Sequence, residues 1–130
     1  MYKSIIFDIG GVMVDFDPKA YLVDRLCSAE MEEKVYDLTF GSEEWKKLDA
    51  GLISRFEGNA TMLKNAQAAG CEFEVQGVLD DWTHILRPRH RMIELVRRLK
   101  NHGYCVYYLS NIPEDILELL TARGVLDQFD

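Results

Sequence analysis

Cysteine and basic residues are both scarce in this sequence. Only three of its 130 residues are cysteines, Cys27, Cys71 and Cys105, and they form neither a CxxC pair nor a Cys/His cluster. Neither a zinc site nor a disulfide framework is therefore predicted, and Cys105, inside an apolar segment, is expected to be a core residue. Lys and Arg number 15 against 22 Asp and Glu. A net charge of −7 argues against nucleic acid as a partner, because a phosphate backbone needs clustered cations.

Long hydrophobic runs are also missing. No segment approaches the length of a membrane span, so we expect no membrane partner. The chain reaches Asp8 after only three or four apolar residues, which is too short a stretch for a signal peptide. Together with the unpaired cysteines, these features predict a cytoplasmic protein.

The first apolar segment ends abruptly in a carboxylate. Ile5, Ile6 and Phe7 do not alternate with polar residues, so we expect a strand covered on both faces, as in a parallel α/β sheet. Asp8 follows at the carboxyl end, where open α/β sheets bind their ligands. The glycine pair at residues 10–11 allows a sharp turn and brings bare N–H groups close to a ligand. The alternative is that Asp8 only caps this turn.

A second apolar segment, residues 104–109, ends at Ser110 and Asn111. A helical pattern over residues 91–101 precedes it, and a second helix should open near Pro113 and run to about residue 123. This order of helix, strand, polar turn and helix is one α/β repeat, and its strand should lie parallel to the first. Asp8 and Ser110 would then meet at one sheet edge.

About ninety residues separate the two strands, far more than one crossover helix needs. Helical patterning and glycine breakers predict an inserted helical module over residues 17–86, lying over the strand ends, and an α/β core formed by residues 1–16 and 87–130. The individual helices are predicted to begin at Asp17-Pro18 and to cover residues 29–40, 42–50, 54–69 and 74–86. Trp45 and Trp82 are expected in the core of the insert.

An ionised Asp8 can act as a nucleophile toward phosphorus or an alkyl carbon and form a covalent intermediate that water resolves. Ser110 and the following helix N-terminus would offer hydroxyl and N–H donors to an anion. Taken alone, the Ser110-Asn111 pair is better explained by a polar turn with local hydrogen bonds only. Its expected position beside Asp8 favours a site.

The segments Phe7-Asp8-Ile9-Gly10-Gly11-Val12 and Leu109-Ser110-Asn111 resemble the first and second motifs of the haloacid dehalogenase-like (HAD) hydrolase superfamily. The resemblance implies a Rossmann-like core with a helical C1-type cap, the usual name for an insert at this place in the phosphatase and dehalogenase subfamilies. It also implies hydrolysis of a small phosphorylated metabolite with Mg²⁺ as cofactor. Asp8 matches the nucleophile and a metal ligand, Gly10 the metal-binding carbonyl, and Ser110, with Asn111 and Gly11, the phosphate-binding positions.

Gly10 departs from the family pattern, in which a second Asp protonates the leaving group. The metal-binding carbonyl remains, but a general acid typically contributes about 10²–10⁴-fold. Glucose-1-phosphate phosphatase-like members resemble this Gly-containing version, which favours a leaving group that needs little protonation. Asp15 or Asp17 could substitute as the acid, although Asp15 could equally be a turn or surface residue and Asp17 a helix N-cap.

The family's third and fourth motifs, a Lys and acidic metal ligands, have no counterpart here. The resemblance therefore covers an N-terminal portion of the family fold, and we expect a truncated core with little or no catalysis. These residues leave open whether the chain is an enzyme. A 2-haloacid-type dehalogenase is one alternative, because halide leaves without an acid. A non-catalytic binding or assembly module, self-associating through an uncovered sheet edge, is the other.

Overall fold

The structure is a computed structural model that describes residues 3–130. Its strands and helices are numbered here in chain order. The strands are β1 (Ser4–Phe7), β2 (Val14–Asp15), β3 (Arg87–Pro88) and β4 (Cys105–Tyr108). The α-helices are α1 (Pro18–Arg25), α2 (Ala29–Leu38), α3 (Glu43–Asp49), α4 (Arg55–Ala69), α5 (Glu72–Asp81), α6 (His90–Asn101) and α7 (Glu114–Ala122), with a 3₁₀ helix at Trp82–Ile85. None of these helices is both long and apolar enough to cross a membrane.

The chain divides into two compact units. The first contains the described residues up to Phe16 together with Leu86–Asp130, and the second is Asp17–Ile85. The sequence-based boundary put Leu86 in the insert, whereas the structure groups it with the first unit. Leu86 directly precedes β3, which pairs with β2 of that unit.

The first unit contains the predicted parallel pair. Strands β1 and β4 are hydrogen-bonded neighbours in parallel, with Phe7 opposite Tyr108. Helix α6 packs against β4, and Val96 of the helix and Val106 of the strand are both fully buried. The α/β class and the parallel sheet that the sequence predicts are therefore confirmed.

The prediction that both faces of the first strand are covered is wrong for the residues the structure describes. Ile6 is 66% exposed, and Tyr107 and Leu109, which share its face, are 43% and 75% exposed. Cys105 lies on the same face and is exposed, so its predicted core position is also wrong. The physical reason is that the sheet has two strands and buries its apolar side chains on one side only.

The short antiparallel pair β2–β3 was not predicted. Val14 lies opposite Pro88 and Asp15 opposite Arg87, so this pair joins the segment after β1 to the segment before α6. Strands of two residues are too short to show a period of two, and Pro88 would itself argue against a strand.

The second unit is helical, as predicted, and its first four α-helices begin at side-chain caps. Asp17, Ser28, Ser42 and Ser54 each accept a hydrogen bond from the N–H three residues later. These bonds satisfy amides that an α-helix leaves without a partner at its start. The last predicted helix differs: it begins at Glu72 and ends at Asp81, where the chain tightens into the 3₁₀ helix.

An aromatic cluster forms the centre of the second unit. The Trp45 and Trp82 rings lie 4.8 Å apart, Phe40 lies 4.7 Å from Trp45, and all three are less than a tenth exposed. The guanidinium of Arg55 lies 5.6 Å from the Trp45 ring and 5.4 Å from the Trp82 ring, within cation–π range. The core positions predicted for both tryptophans are confirmed.

Tyr21 is tied into the same unit through its hydroxyl, which donates to Asp81 at 2.8 Å. Burial, together with this hydrogen bond, raises the pKa of Tyr21 to about 12. The phenol therefore stays neutral at physiological pH and acts as a hydrogen-bond donor that links α1 to the end of α5.

Candidate active site

Asp8 follows directly after β1 and is exposed. One carboxylate oxygen, Oδ1, accepts the backbone N–H of Ile9 at 2.7 Å, which orients the side chain relative to the next peptide. The carboxylate thus stands at the carboxyl end of a parallel strand, the edge at which the sequence placed it.

The loop after Asp8 is held by its own backbone. The carbonyl of Ile9 accepts N–H groups from Val12, Met13 and Val14 at 2.8–3.2 Å. Gly11 has a φ of +76°, a left-handed conformation that favours glycine, and its N–H donates to the Val14 carbonyl at 2.8 Å. The Gly11 amide is therefore engaged inside the loop, and its role in phosphate binding stays a prediction.

The structure brings the two predicted motifs to the same sheet edge. The N–H of Leu109 donates to the Phe7 carbonyl at 2.9 Å, so the chain segments that carry Asp8 and Ser110 leave neighbouring strands side by side. Ser110 is half-buried and Asn111 is exposed. Helix α7 begins shortly afterwards at Glu114, preceded by Pro113 and without a side-chain cap.

The two carboxylates considered as substitute acids are engaged elsewhere. The Asp17 side chain caps α1 by accepting the N–H of Ala20 at 3.1 Å, which is the N-cap role that the sequence also predicted. Asp15 lies in β2, and its carboxylate pairs with the guanidinium of Arg89 at 3.6 Å. Neither contact supports a role for these carboxylates as the acid that protonates a leaving group beside Asp8.

Arg89 is the residue of this region that sequence reasoning missed. Its Nη1 donates to the Gly11 carbonyl at 3.0 Å, and its backbone N–H donates to the Met13 carbonyl at 2.8 Å. The signal available was its position next to Pro88, at the entry to a helix. Since the contact spans 78 positions of sequence, no local pattern could reveal it.

The residues available for a metal are few. Among residues 3–130, no group of three or more His, Cys, Asp or Glu side chains is arranged to hold an ion. The predicted ligands are the Asp8 carboxylate and the Gly10 backbone carbonyl, and their role stays a prediction. Oxygen donors of this kind fit Mg²⁺, which usually keeps several waters and binds one or two carboxylates together with substrate phosphates.

The chain is similar to a curated protein by sequence and to several solved structures by fold. No protein-family model matches the chain. It is 31% identical, over 99% of its length, to the sesquiterpene phosphatase astK of Aspergillus oryzae, and spans 62% of that relative. Two structures of L-2-haloacid dehalogenase from Xanthobacter autotrophicus, one with chloropropionic acid covalently bound, superimpose on all of this chain and on 55% of their own. Both have a TM-score of 0.58 and 19% identity, a likeness of fold.

The sequence motifs and the fold point to the same family. The two motifs that resemble it lie at the ends of adjacent parallel strands, an inserted helical unit separates those strands, and the fold neighbours have the same architecture. The relative of 31% identity and the shared fold support the resemblance of this chain to the haloacid dehalogenase-like hydrolase superfamily.

Proposed function

We propose that this chain carries the nucleophilic half of a Mg²⁺-dependent phosphomonoesterase, with Asp8 as the catalytic nucleophile. The observation that carries the proposal is the exposed Asp8 carboxylate at the carboxyl end of β1, beside the strand that leads to Ser110. The phosphatase activity of the relative that is 31% identical supports phosphorus rather than carbon as the target. The chain spans less than two thirds of that relative, so the activity of a whole protein is part of the proposal.

The reaction would proceed in two displacements at phosphorus. A carboxylate oxygen of Asp8 attacks the phosphorus atom, the bond to the ester oxygen breaks, and the leaving alcohol takes its proton from water. A second water then attacks the aspartyl phosphate, the bond between Asp8 and phosphorus breaks, and the free carboxylate and inorganic phosphate result. The Ser110 hydroxyl and the Asn111 amide would donate hydrogen bonds to the phosphoryl oxygens.

Asp8 and the Gly10 carbonyl would hold Mg²⁺. When bound, the ion neutralises charge on the carboxylate and on the phosphoryl oxygens. The chain's own contribution would be the Asp8 carboxylate, one oxygen of which attacks the phosphorus while the other is available to the metal.

The absence of an acidic side chain at Gly10 limits the substrates that this site would process. Without a proton donor, the rate depends on how well the leaving oxygen carries negative charge. We expect small phosphorylated metabolites with acidic leaving groups to react best.

The test is turnover of 4-nitrophenyl phosphate, whose leaving group needs no protonation, measured with Mg²⁺ and with excess chelator. The proposal predicts phosphate release that Mg²⁺ restores after chelation. The release should be slow, because residues 1–130 hold no counterpart of the family's Lys and acidic metal ligands. A folded sample that releases no phosphate under either condition would contradict it. Chloride release from 2-chloropropionate, measured in parallel, would instead indicate the dehalogenase alternative. The likeness to the dehalogenase structures, at 19% identity, is one of fold and does not identify a substrate.

A second candidate function is self-association with another copy of this chain. Within the described residues, β1 has a neighbour on one side only, and Ile6, Tyr107 and Leu109 form an exposed apolar face beside its open edge. An open edge is a template for strand pairing, and identical edges can pair around a two-fold axis. Such pairing would extend the sheet from two strands to four and keep the Ile6 face continuous.

Ile6→Lys is expected to abolish this association, because a charged side chain on an edge strand opposes pairing. The measurement is the mass obtained by sedimentation over a range of concentrations. The wild-type mass should rise toward that of a dimer, while the Ile6→Lys mass should stay that of a monomer. Phe73→Lys is the matched control, since Phe73 is 88% exposed in the other unit. A wild-type chain that remains monomeric would contradict this candidate.

A further inference from the structure

Arg89 contacts the loop after Asp8 at three points. Its backbone N–H donates to the Met13 carbonyl at 2.8 Å, and its Nη1 donates to the Gly11 carbonyl at 3.0 Å. Its Nε lies 3.6 Å from a carboxylate oxygen of Asp15, at the end of the same segment. All of these residues belong to the first unit, so the contacts lie inside one compact body.

These contacts complement the hydrogen bonds that the loop makes with itself. Inside the loop, the carbonyls of Ile9 and Val14 accept the available N–H groups. The carbonyls of Gly11 and Met13 point to Arg89 instead. The loop therefore uses the Ile9 and Val14 carbonyls for its own hydrogen bonds. Its Gly11 and Met13 carbonyls bind Arg89, which is distant in sequence.

The side-chain bond to Gly11 matters because of where Gly11 lies. Gly11 follows Gly10 directly, and its left-handed φ of +76° sets the direction of the peptide between them. A guanidinium donor is charged and makes stronger hydrogen bonds than a neutral group. Holding the Gly11 carbonyl thus limits rotation of the backbone that carries the Gly10 carbonyl.

We propose that Arg89 is a positioning residue that fixes the Gly10–Gly11 backbone relative to Asp8 through its bond to the Gly11 carbonyl. The catalytic consequence rests on the proposed function, in which the Gly10 carbonyl and Asp8 hold Mg²⁺ together. The anchoring of the loop stands independently of that function.

A local effect is expected rather than a general loss of stability. The Arg89 side chain is 45% exposed, and the Asp15 side chain 66% exposed, so their ion pair contributes little to folding. Removing the side chain leaves the backbone bond to Met13 and the β2–β3 pairing in place. The change should therefore appear in the loop and not in the thermal midpoint of unfolding.

The experiment compares Arg89→Ala and Arg89→Lys with Arg91→Ala, a matched control on the exposed side of α6. Hydrogen exchange of the Gly11, Met13 and Val14 amides is the first readout, because these N–H groups close the loop. We expect exchange about ten-fold faster in Arg89→Ala, as for the loss of one charged hydrogen bond. Arg89→Lys, which keeps a charged donor, should recover part of the protection, and Arg91→Ala should match the wild type.

The second readout is the Mg²⁺ concentration that gives half-maximal turnover of 4-nitrophenyl phosphate. It should rise several-fold in Arg89→Ala and less in Arg89→Lys. Loop exchange equal to the wild type in Arg89→Ala would overturn the proposal, whatever the turnover. Faster exchange in a protein that shows no turnover even as wild type would uphold the anchoring role and reject the proposed function, so the two failures are distinguishable.

Discussion

Replacing Asp8 with asparagine is expected to reduce Mg²⁺-dependent phosphate release by about 10³-fold or more, as is typical when a catalytic nucleophile is removed. The amide is a poor nucleophile and carries no negative charge for the metal. The fold should survive, because the Asn oxygen can still accept the Ile9 N–H that Asp8 accepts now. The measurement is the initial rate on 4-nitrophenyl phosphate at saturating Mg²⁺.

The control for this variant is Asp24→Asn, which removes one negative charge from the exposed face of α1 in the other unit. Its rate should equal that of the wild type. If Asp8→Asn retained the wild-type rate while Asp24→Asn behaved identically, Asp8 would not be the nucleophile, and the site would have to be sought elsewhere.

Replacing Gly10 with aspartate is expected to accelerate hydrolysis of alkyl phosphates by about 10²-fold, the lower end of the contribution of a general acid. The introduced carboxylic acid would protonate the leaving oxygen. The position accepts the change sterically: a Cβ built on Gly10 meets no atom within 4 Å, and its φ is not in the left-handed region. The rate on 4-nitrophenyl phosphate should change little, because nitrophenolate leaves without a proton.

The ratio of the rate on an alkyl phosphate to the rate on 4-nitrophenyl phosphate distinguishes acid catalysis from a general increase in activity. Gly11→Asp is the control, since the neighbouring glycine has a φ of +76° and any side chain there is strained. That variant should gain nothing on alkyl phosphates and lose stability. Equal acceleration of both substrates by Gly10→Asp, or none in a folded protein, would contradict the role assigned to position 10.

Much of the fold could be predicted from the sequence, because its strands and helices follow from local patterns of apolar residues and glycines. The apolar segments that end at Asp8 and at Ser110 became parallel neighbours in register, so the sequence alone was sufficient to place both motifs at one sheet edge. The helical insert was equally predictable, since helical patterning between glycine breakers such as Gly70, which ends α4 in a left-handed conformation, is a local signal.

What the sequence could not reveal depends on the number of partners around an element. The unbroken apolar character of β1 predicted that both of its faces are covered, yet Ile6 is 66% exposed. The reason is that an apolar pattern shows which side chains a strand can bury, and it does not show whether another element is there to cover them. The same limit explains the exposed Cys105. The Arg89 contact to Gly11 was out of reach because it joins residues distant in sequence through a two-residue strand pair.

The most direct test of the central claim is to look for the covalent intermediate itself. The chain would be incubated with 4-nitrophenyl phosphate and Mg²⁺, quenched in acid and digested. The mass of the peptide that contains Asp8 would then be measured by mass spectrometry. We predict the added mass of one phosphoryl group on Asp8, removed by hydroxylamine and absent from Asp8→Asn. Phosphate release without any phosphoryl group on that peptide, or with the group on another residue, would contradict the account.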